Sequence, residues 1–195
     1  MNRQKYNVRN ANTSEFEEIG KLMVQVYSQL EGFPSATDQP DYYKVLANIG
    51  ELTKKPNTEL LVAVSPKGKI GGAVVYFSDM KYYGSGGTAT KEQNASGFRL
   101  LAVAPQTRGQ GLGKLLTHTC IQKAKKNKHA QVIIHTTKSM QTAWEMYKKL
   151  GFKKSPDLDF MQSNLQVFGF RLVFWVNYFG DAYRVCVWLV ACLSN

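Results

Sequence analysis

Glycine, arginine and lysine crowd one short stretch of this chain, Arg108-Gly109-Gln110-Gly111-Leu112-Gly113-Lys114. It follows directly on the apolar run Leu100-Leu101-Ala102-Val103-Ala104-Pro105. A helix starting here leaves its first backbone N–H groups unpaired, and its dipole adds partial positive charge at the same point. Glycines at Gly109, Gly111 and Gly113 hold no side chain in the way, so those N–H groups can close around phosphate oxygens. Arg108 and Lys114 add formal charge beside them. Strand, turn and helix start together make chemistry for a pyrophosphate.

Two familiar phosphate motifs fail against these residues. A P-loop needs Gly-x-x-x-x-Gly-Lys and then Ser or Thr, but Arg108 holds the first glycine position and Leu115 follows the lysine. A dinucleotide fingerprint needs Gly-x-Gly-x-x-Gly, and its third glycine falls on Lys114 or on Leu116. What remains is Arg-x-x-Gly-x-Gly after a strand of the type Leu-x-Val-x-Pro. A glycine-tolerant turn before an ordinary helix is the competing reading. Downstream lies a second pattern, Ala143-x-x-x-Tyr147-x-x-x-Gly151-Phe152. Ala143 and Tyr147 share one helix face at that spacing, and Gly151 caps the helix end.

In this order and spacing the two patterns resemble the GNAT superfamily of acyl-CoA N-acyltransferases. The resemblance runs over roughly Tyr6 to Phe174, with its specific parts between Leu100 and Phe152. It implies a three-layer α/β/α fold whose central mixed sheet is splayed between two parallel strands, Phe98–Val103 and Gln131–His135. It implies acetyl-CoA as cosubstrate and direct transfer of the acetyl group to a primary amine within one ternary complex. Arg108, Gly109, Gln110, Gly111, Leu112, Gly113 and Lys114 would hold the pyrophosphate. Backbone groups of Leu101 and Val103 would bond the pantetheine arm and polarise the thioester carbonyl. Tyr147 would protonate the departing thiolate; a tyrosine that only packs its ring is the alternative.

The sequence also departs from the family pattern. Many members carry a glutamate in the strand before the glycine turn as general base, and Gly97-Phe98-Arg99-Leu100-Leu101 has no carboxylate. Met140 stands where an asparagine is frequent, with Ser139 beside it as another polar contact. Base candidates are Glu92, His135 or a water relay, because a protonated amine must lose a proton before it attacks. A CoA-binding sensor or partner protein without catalysis is therefore the runner-up function. The acceptor pocket is expected between Leu30–Tyr43 and Tyr76–Ser96. Glu31, Asp38 and Asp41 would attract an amine there, and Tyr42, Tyr43, Tyr82 and Tyr83 would wall it. Plain loop charges and loop aromatics are an equal reading of the same residues.

The elements that must position these groups read as α+β. Tyr6 to Arg9 forms a short strand, and Ser14 with Glu17 fits a capping box before Phe16, Ile19, Leu22, Met23, Val26 and Leu30 at helical spacing. A second helix carries Tyr43, Val45, Leu46 and Ile49. Leu60–Val64 and Ile70–Phe77 flank the turn Ser65-Pro66-Lys67-Gly68-Lys69 as an antiparallel hairpin. A mobile loop over Tyr82–Ser96 precedes the strand Phe98–Val103. A helix runs from about Gly109 to Lys126, then the strand Gln131–His135, then the helix Met140–Leu150. Strands at Phe152 and Val167–Phe174 follow. Strand-helix-strand in the middle gives a parallel crossover.

With 195 residues there is material for one domain, read as residues 1–174, and an apolar extension, residues 175–195. That extension reads as an element packed on the domain or on a second copy, so a homodimer stays open, or as a run-on end without a role. Membrane contact is its weakest reading, since Val185–Leu193 is too short to span. The net charge of +11 permits nucleic acid, membrane or an acidic small molecule as partner. No nucleic-acid motif accompanies that charge, and its one cluster, Lys123, Lys125, Lys126 and Lys128, reads as a solvated helix face. Neither nucleic acid nor membrane is expected as partner. The three cysteines, Cys120, Cys186 and Cys192, have no zinc spacing, so no metal is expected. The N-terminus is polar, without a signal-peptide core, which places the protein in the cytoplasm.

Overall fold

Strand alternation decides which side chains meet which helices. In the computed structural model, which describes residues 5–174, the runs Thr58–Val64 (β2) and Ile70–Phe77 (β3) pair as an antiparallel hairpin. Both are buried on both faces, and successive side chains enter two different cores. Leu60, Val62 and Val64 join the core of α1 (Phe16–Ser28) and α2 (Pro40–Ala47). Leu61 and Ala63 join that of α3 (Leu112–Lys126) and α4 (Gln141–Lys149). The result is three layers, with one helical pair on each face of the sheet.

The other strands are β1 (Asn7–Asn10), β4 (Ala95–Val103), β5 (Gln131–Thr136), β6 (Lys153–Lys154), β7 (Phe160–Gln162) and β8 (Leu165–Val173). Their order is β1-β2-β3-β4-β5-β8-β6, with β7 paired to β8. All pairs are antiparallel except β4 with β5. That parallel pair holds only over Ala95–Gly97 against Gln131–Ile133. Beyond it the two strands part, as the expected splay requires.

A bulge sits where they part. The register of β4 on β3 shifts between Val75↔Arg99 and Ala73↔Ala102, and Leu100 takes φ 57°. Such a bulge puts one extra residue in the strand and turns the following side chains over. Before it Ala95 joins the α1/α2 core and Phe98 the α3/α4 core. After it Leu100 and Ala102 join the α1/α2 core, while Leu101 and Val103 pack on the α3/α4 side. The left-handed conformation costs a non-glycine residue about 1–2 kcal/mol. The packing of Leu100, 6% exposed, holds it there.

Local details differ from the sequence expectation in four places. The N-terminal cap is Asn12, whose N–H donates to Glu15 Oε2 at 2.7 Å, while Glu17 pairs outward with Lys21. β4 starts at Ala95, and the preceding segment is built of 3-10 turns at Met80–Tyr82 and Ala89–Lys91. The helix after the glycine turn starts at Leu112 instead of Gly109. The short strand β7 had no counterpart in the sequence reading. Lys123, Lys125 and Lys126 occupy the last turn of α3, where they complement its dipole. No helix of the described residues is long and apolar enough to cross a membrane. The extension 175–195, with Cys186 and Cys192, lies outside the described residues.

Candidate active site

A cleft of about 580 Å³ opens where β4 and β5 part. Leu101, Val103, Arg108, Gly109, Gly111, Leu112, Gly113 and Lys114 line it, together with Ala143, Met146 and Tyr147. The structure thus brings together the two sequence patterns. Gln110 stands apart: it is not in the lining, and its N–H turns back to the Thr107 carbonyl at 3.4 Å. Ser139 and Met140 are in the lining as well.

The turn is anchored on the hairpin. Thr107 Oγ1 donates to the carbonyl of Gly71 at 2.8 Å, and the Ala104 N–H reaches the same oxygen at 2.9 Å. Gly109 and Gly111 take φ 77° and 83° with open space around the missing Cβ, so conformation, not crowding, selects glycine there. These two left-handed residues are what delays the helix to Leu112. The Leu115 N–H makes the first helical bond, to Gly111 at 3.0 Å. The amides of Leu112, Gly113 and Lys114 precede it and have no helical carbonyl to meet. No carboxylate lies in this first turn. An anion fits this end of the cleft.

Tyr147 lines the same cleft, 5% exposed. An edge contact with Phe98 and a tilted one with Phe152, ring centroids 5.8 and 5.7 Å away, hold its ring. Burial keeps the phenol well above its ordinary pKa, with Cys120 and Tyr83 adding to the rise. It stays protonated throughout the physiological range. Cys120 is itself fully buried, and burial raises its thiol, which removes it as a nucleophile.

A second pocket, about 440 Å³, lies on the α1/α2 side and shares Arg99 and Leu100 with the cleft. Of the acceptor residues expected from sequence, Asp41, Tyr42 and Tyr83 line it. Asp38 instead closes a turn on Ser35, and the Tyr43 hydroxyl donates to the Pro34 carbonyl. Sequence reasoning passed over Arg99 as merely the absence of a carboxylate. Its Nη1 donates to the carbonyl of Tyr83 at 2.9 Å and to that of Gly84, and its guanidinium lies 5.5 Å from the Tyr83 ring centre. One signal was there to read: a charge inside an otherwise apolar strand.

Both side-chain candidates for a base are occupied. Glu92 pairs with Arg171 at 2.7 Å, accepts from Gln131 at 3.0 Å and lines neither pocket. His135 lines the cleft but is held between Tyr83 and the Leu158 carbonyl, and burial lowers its pKa to about 4. Among the described residues no group of three or more His, Cys, Asp or Glu side chains is placed to hold a metal ion.

Residues 54–174 match the family described as the acetyltransferase (GNAT) domain. The chain belongs to the GNAT family of acetyltransferases. The matched span runs from the end of the 3-10 turn before β2 through β8, and includes the whole cleft apart from its α1 edge. Two mouse proteins, N-acetyltransferase 8B and N-acetyltransferase 8F1, are each 41% identical over 58 residues, 30% of this chain. That alignment spans about a quarter of their length, 25% and 26%. Among solved GNAT folds, the chain is similar to an acetyltransferase of Staphylococcus aureus at 18% identity and TM-score 0.62 (85% of this chain, 98% of that one). It is likewise similar to yncA of Salmonella typhimurium, solved with its cofactor acetyl-CoA, at 14% identity and TM-score 0.58 (91% and 99%).

Proposed function

We propose that this protein transfers the acetyl group of acetyl-CoA to a primary amine, both bound at once, within a catalytic domain of residues 1–174. The observation that carries this reading is the cleft itself, which opens where β4 and β5 part and is lined both by a carboxylate-free, basic helix start and by the buried Tyr147. The site fits the cosubstrate: helix amides and two basic side chains for a pyrophosphate, then a slot between parting strands for an extended arm. When bound, acetyl-CoA supplies an activated acyl group.

Arg108, Lys114 and the amides of Leu112, Gly113 and Lys114 neutralise the phosphates. Backbone groups of Leu101 and Val103 lie in the strand gap, where they bond the arm and turn N–H dipoles toward the carbonyl. Tyr147 gives its phenolic proton, or a hydrogen bond from it, to the sulfur as negative charge gathers there. Holding amine and acyl group together supplies much of the acceleration. With Glu92 and His135 both engaged, the amine's proton leaves through water.

A CoA-binding protein without turnover is the second reading, favoured by the lack of a carboxylate in β4 and by those two engaged side chains. Release of free thiol from acetyl-CoA on adding amines separates the two. Tyr147→Phe is expected to lower kcat about 10²–10⁴-fold, the range of a single lost acid contribution, with KM for acetyl-CoA nearly unchanged. Equal turnover by the variant would remove Tyr147 from the mechanism. Tight CoA binding with no thiol release from any amine would leave the non-catalytic reading.

A further inference from the structure

The bulge in β4 decides what the second pocket recognises. Arg99 and Leu100 are consecutive, yet both line the pocket on the α1/α2 side, because the extra residue at Leu100 breaks the alternation. They also line the cleft. A molecule seated in the second pocket therefore meets the strand gap beside Arg99.

The guanidinium is half-buried and has no carboxylate partner among the described residues. The carbonyls of Tyr83 and Gly84 occupy its Nη1, and the Tyr83 ring lies against it. These contacts fix the fork in place while Nη2 and Nε have no acceptor in the described structure. A second cation flanks it: the position of a Cβ on Gly84 is 3.6 Å from Arg99 Nη1 and 3.6 Å from Lys55 Nζ. Asp41, exposed, is the one carboxylate in the lining. Most of the remaining wall, including Val45, Leu52 and Phe160, is apolar.

A half-buried, unpaired guanidinium is stabilised by an anionic ligand and repels a cationic one. A polyamine or an isolated ammonium group would meet that repulsion beside the gap. An amine that carries its own carboxylate would not. We infer that the acceptor is an amino acid with an apolar side chain, its carboxylate bound by Arg99 and its side chain in the second pocket. This rests on the acetyl-transfer reading above. The amine nitrogen bonds to the acetyl carbonyl carbon, the carbon–sulfur bond breaks, and one amine proton ends on sulfur. The products are an N-acetylated amino acid and free CoA thiol.

The test uses the full chain with acetyl-CoA and leucine, methionine, phenylalanine and tryptophan, each beside its amide and its decarboxylated amine, followed by thiol release. At least one acid is expected to exceed its amide and amine in kcat/KM by about tenfold or more, the scale of one hydrogen bond to a charged group. Arg99→Gln should abolish that preference through KM for the acid, and Arg99→Lys should restore part of it. Amides or amines used as well as the acids, or a preference that survives in Arg99→Gln, would overturn the proposal. If nothing turns over, thermal shift of the CoA-bound protein by the four acids decides: no shift with any of them overturns it. Failure of acetyl-CoA itself to bind would be the different failure, that of the acetyl-transfer reading.

Discussion

The hydroxyl of Tyr83 stands 3.2 Å from Nδ1 of His135, and Nε2 of the same ring stands 3.0 Å from the carbonyl oxygen of Leu158. A carbonyl can only accept, so the ring proton sits on Nε2 and the lone pair on Nδ1 takes the Tyr83 O–H. A neutral imidazole in this tautomer satisfies both neighbours. Protonation at Nδ1 would set an N–H against the hydroxyl in a site with little water.

Stability should therefore depend on pH through this residue. Burial, the largest cause, lowers its pKa from 6.5 to about 4, with Arg99 and Arg171 contributing. Between those values the unfolded chain binds the proton and the folded one does not, so stability rises with pH. The contribution is whole above pH 6.5 and is lost as pH falls through the interval toward 4. Urea denaturation at pH 7, 6 and 5 should show a smaller acid loss in His135→Gln than in the unsubstituted protein. Equal losses would mean that His135 titrates freely.

Gly97 in β4 and Gly113 in the first turn of α3 should respond in opposite ways. A Cβ on Gly97 would lie 2.6 Å from Tyr83 Cε2 and 2.8 Å from the Ile133 carbonyl oxygen. Gly97→Ala should cost about 1–3 kcal/mol, because neither the ring nor the β5 backbone has room to move. A Cβ on Gly113 would meet only Met146 Sδ at 3.5 Å and Val103 Cγ2 at 3.7 Å, ordinary contacts. Gly113→Ala should keep its stability and weaken CoA binding about tenfold, since the methyl group enters the cleft that the phosphates need. Thermal melts and a CoA titration of both variants check the pair. Unchanged affinity in Gly113→Ala would place the phosphates elsewhere.

What was legible in the sequence was local. Arg108 to Lys114 and Ala143 to Gly151 each carry their meaning within a dozen residues, and the structure sets both on one cleft. The hairpin, both helical pairs and the parallel crossover followed from periodicity and turn residues in the same way. The bulge did not, because nothing in the composition around Leu100 marks a left-handed leucine. Without it the alternation of β4 cannot be followed, and the side on which Arg99 lies stays hidden. Glu92 illustrates the other loss: its partner Arg171 is 79 residues away, a pairing that only the closed sheet creates. His135 stays a base candidate in the sequence for the same reason, since Tyr83 and Leu158 reach it from distant turns.

Thermal stabilisation by acetyl-CoA, set beside ATP and NAD at equal concentration, is the most direct measurement of the central claim. A ligand bound only by the folded state at about a hundred times its Kd adds about 2.7 kcal/mol, which moves the melting temperature of a chain this size by roughly 5–10 °C. Acetyl-CoA is expected to produce a shift on that scale, NAD none, and Arg108→Gln to shrink it. A shift with ATP or NAD and none with acetyl-CoA would contradict the assignment of the Arg108–Lys114 turn.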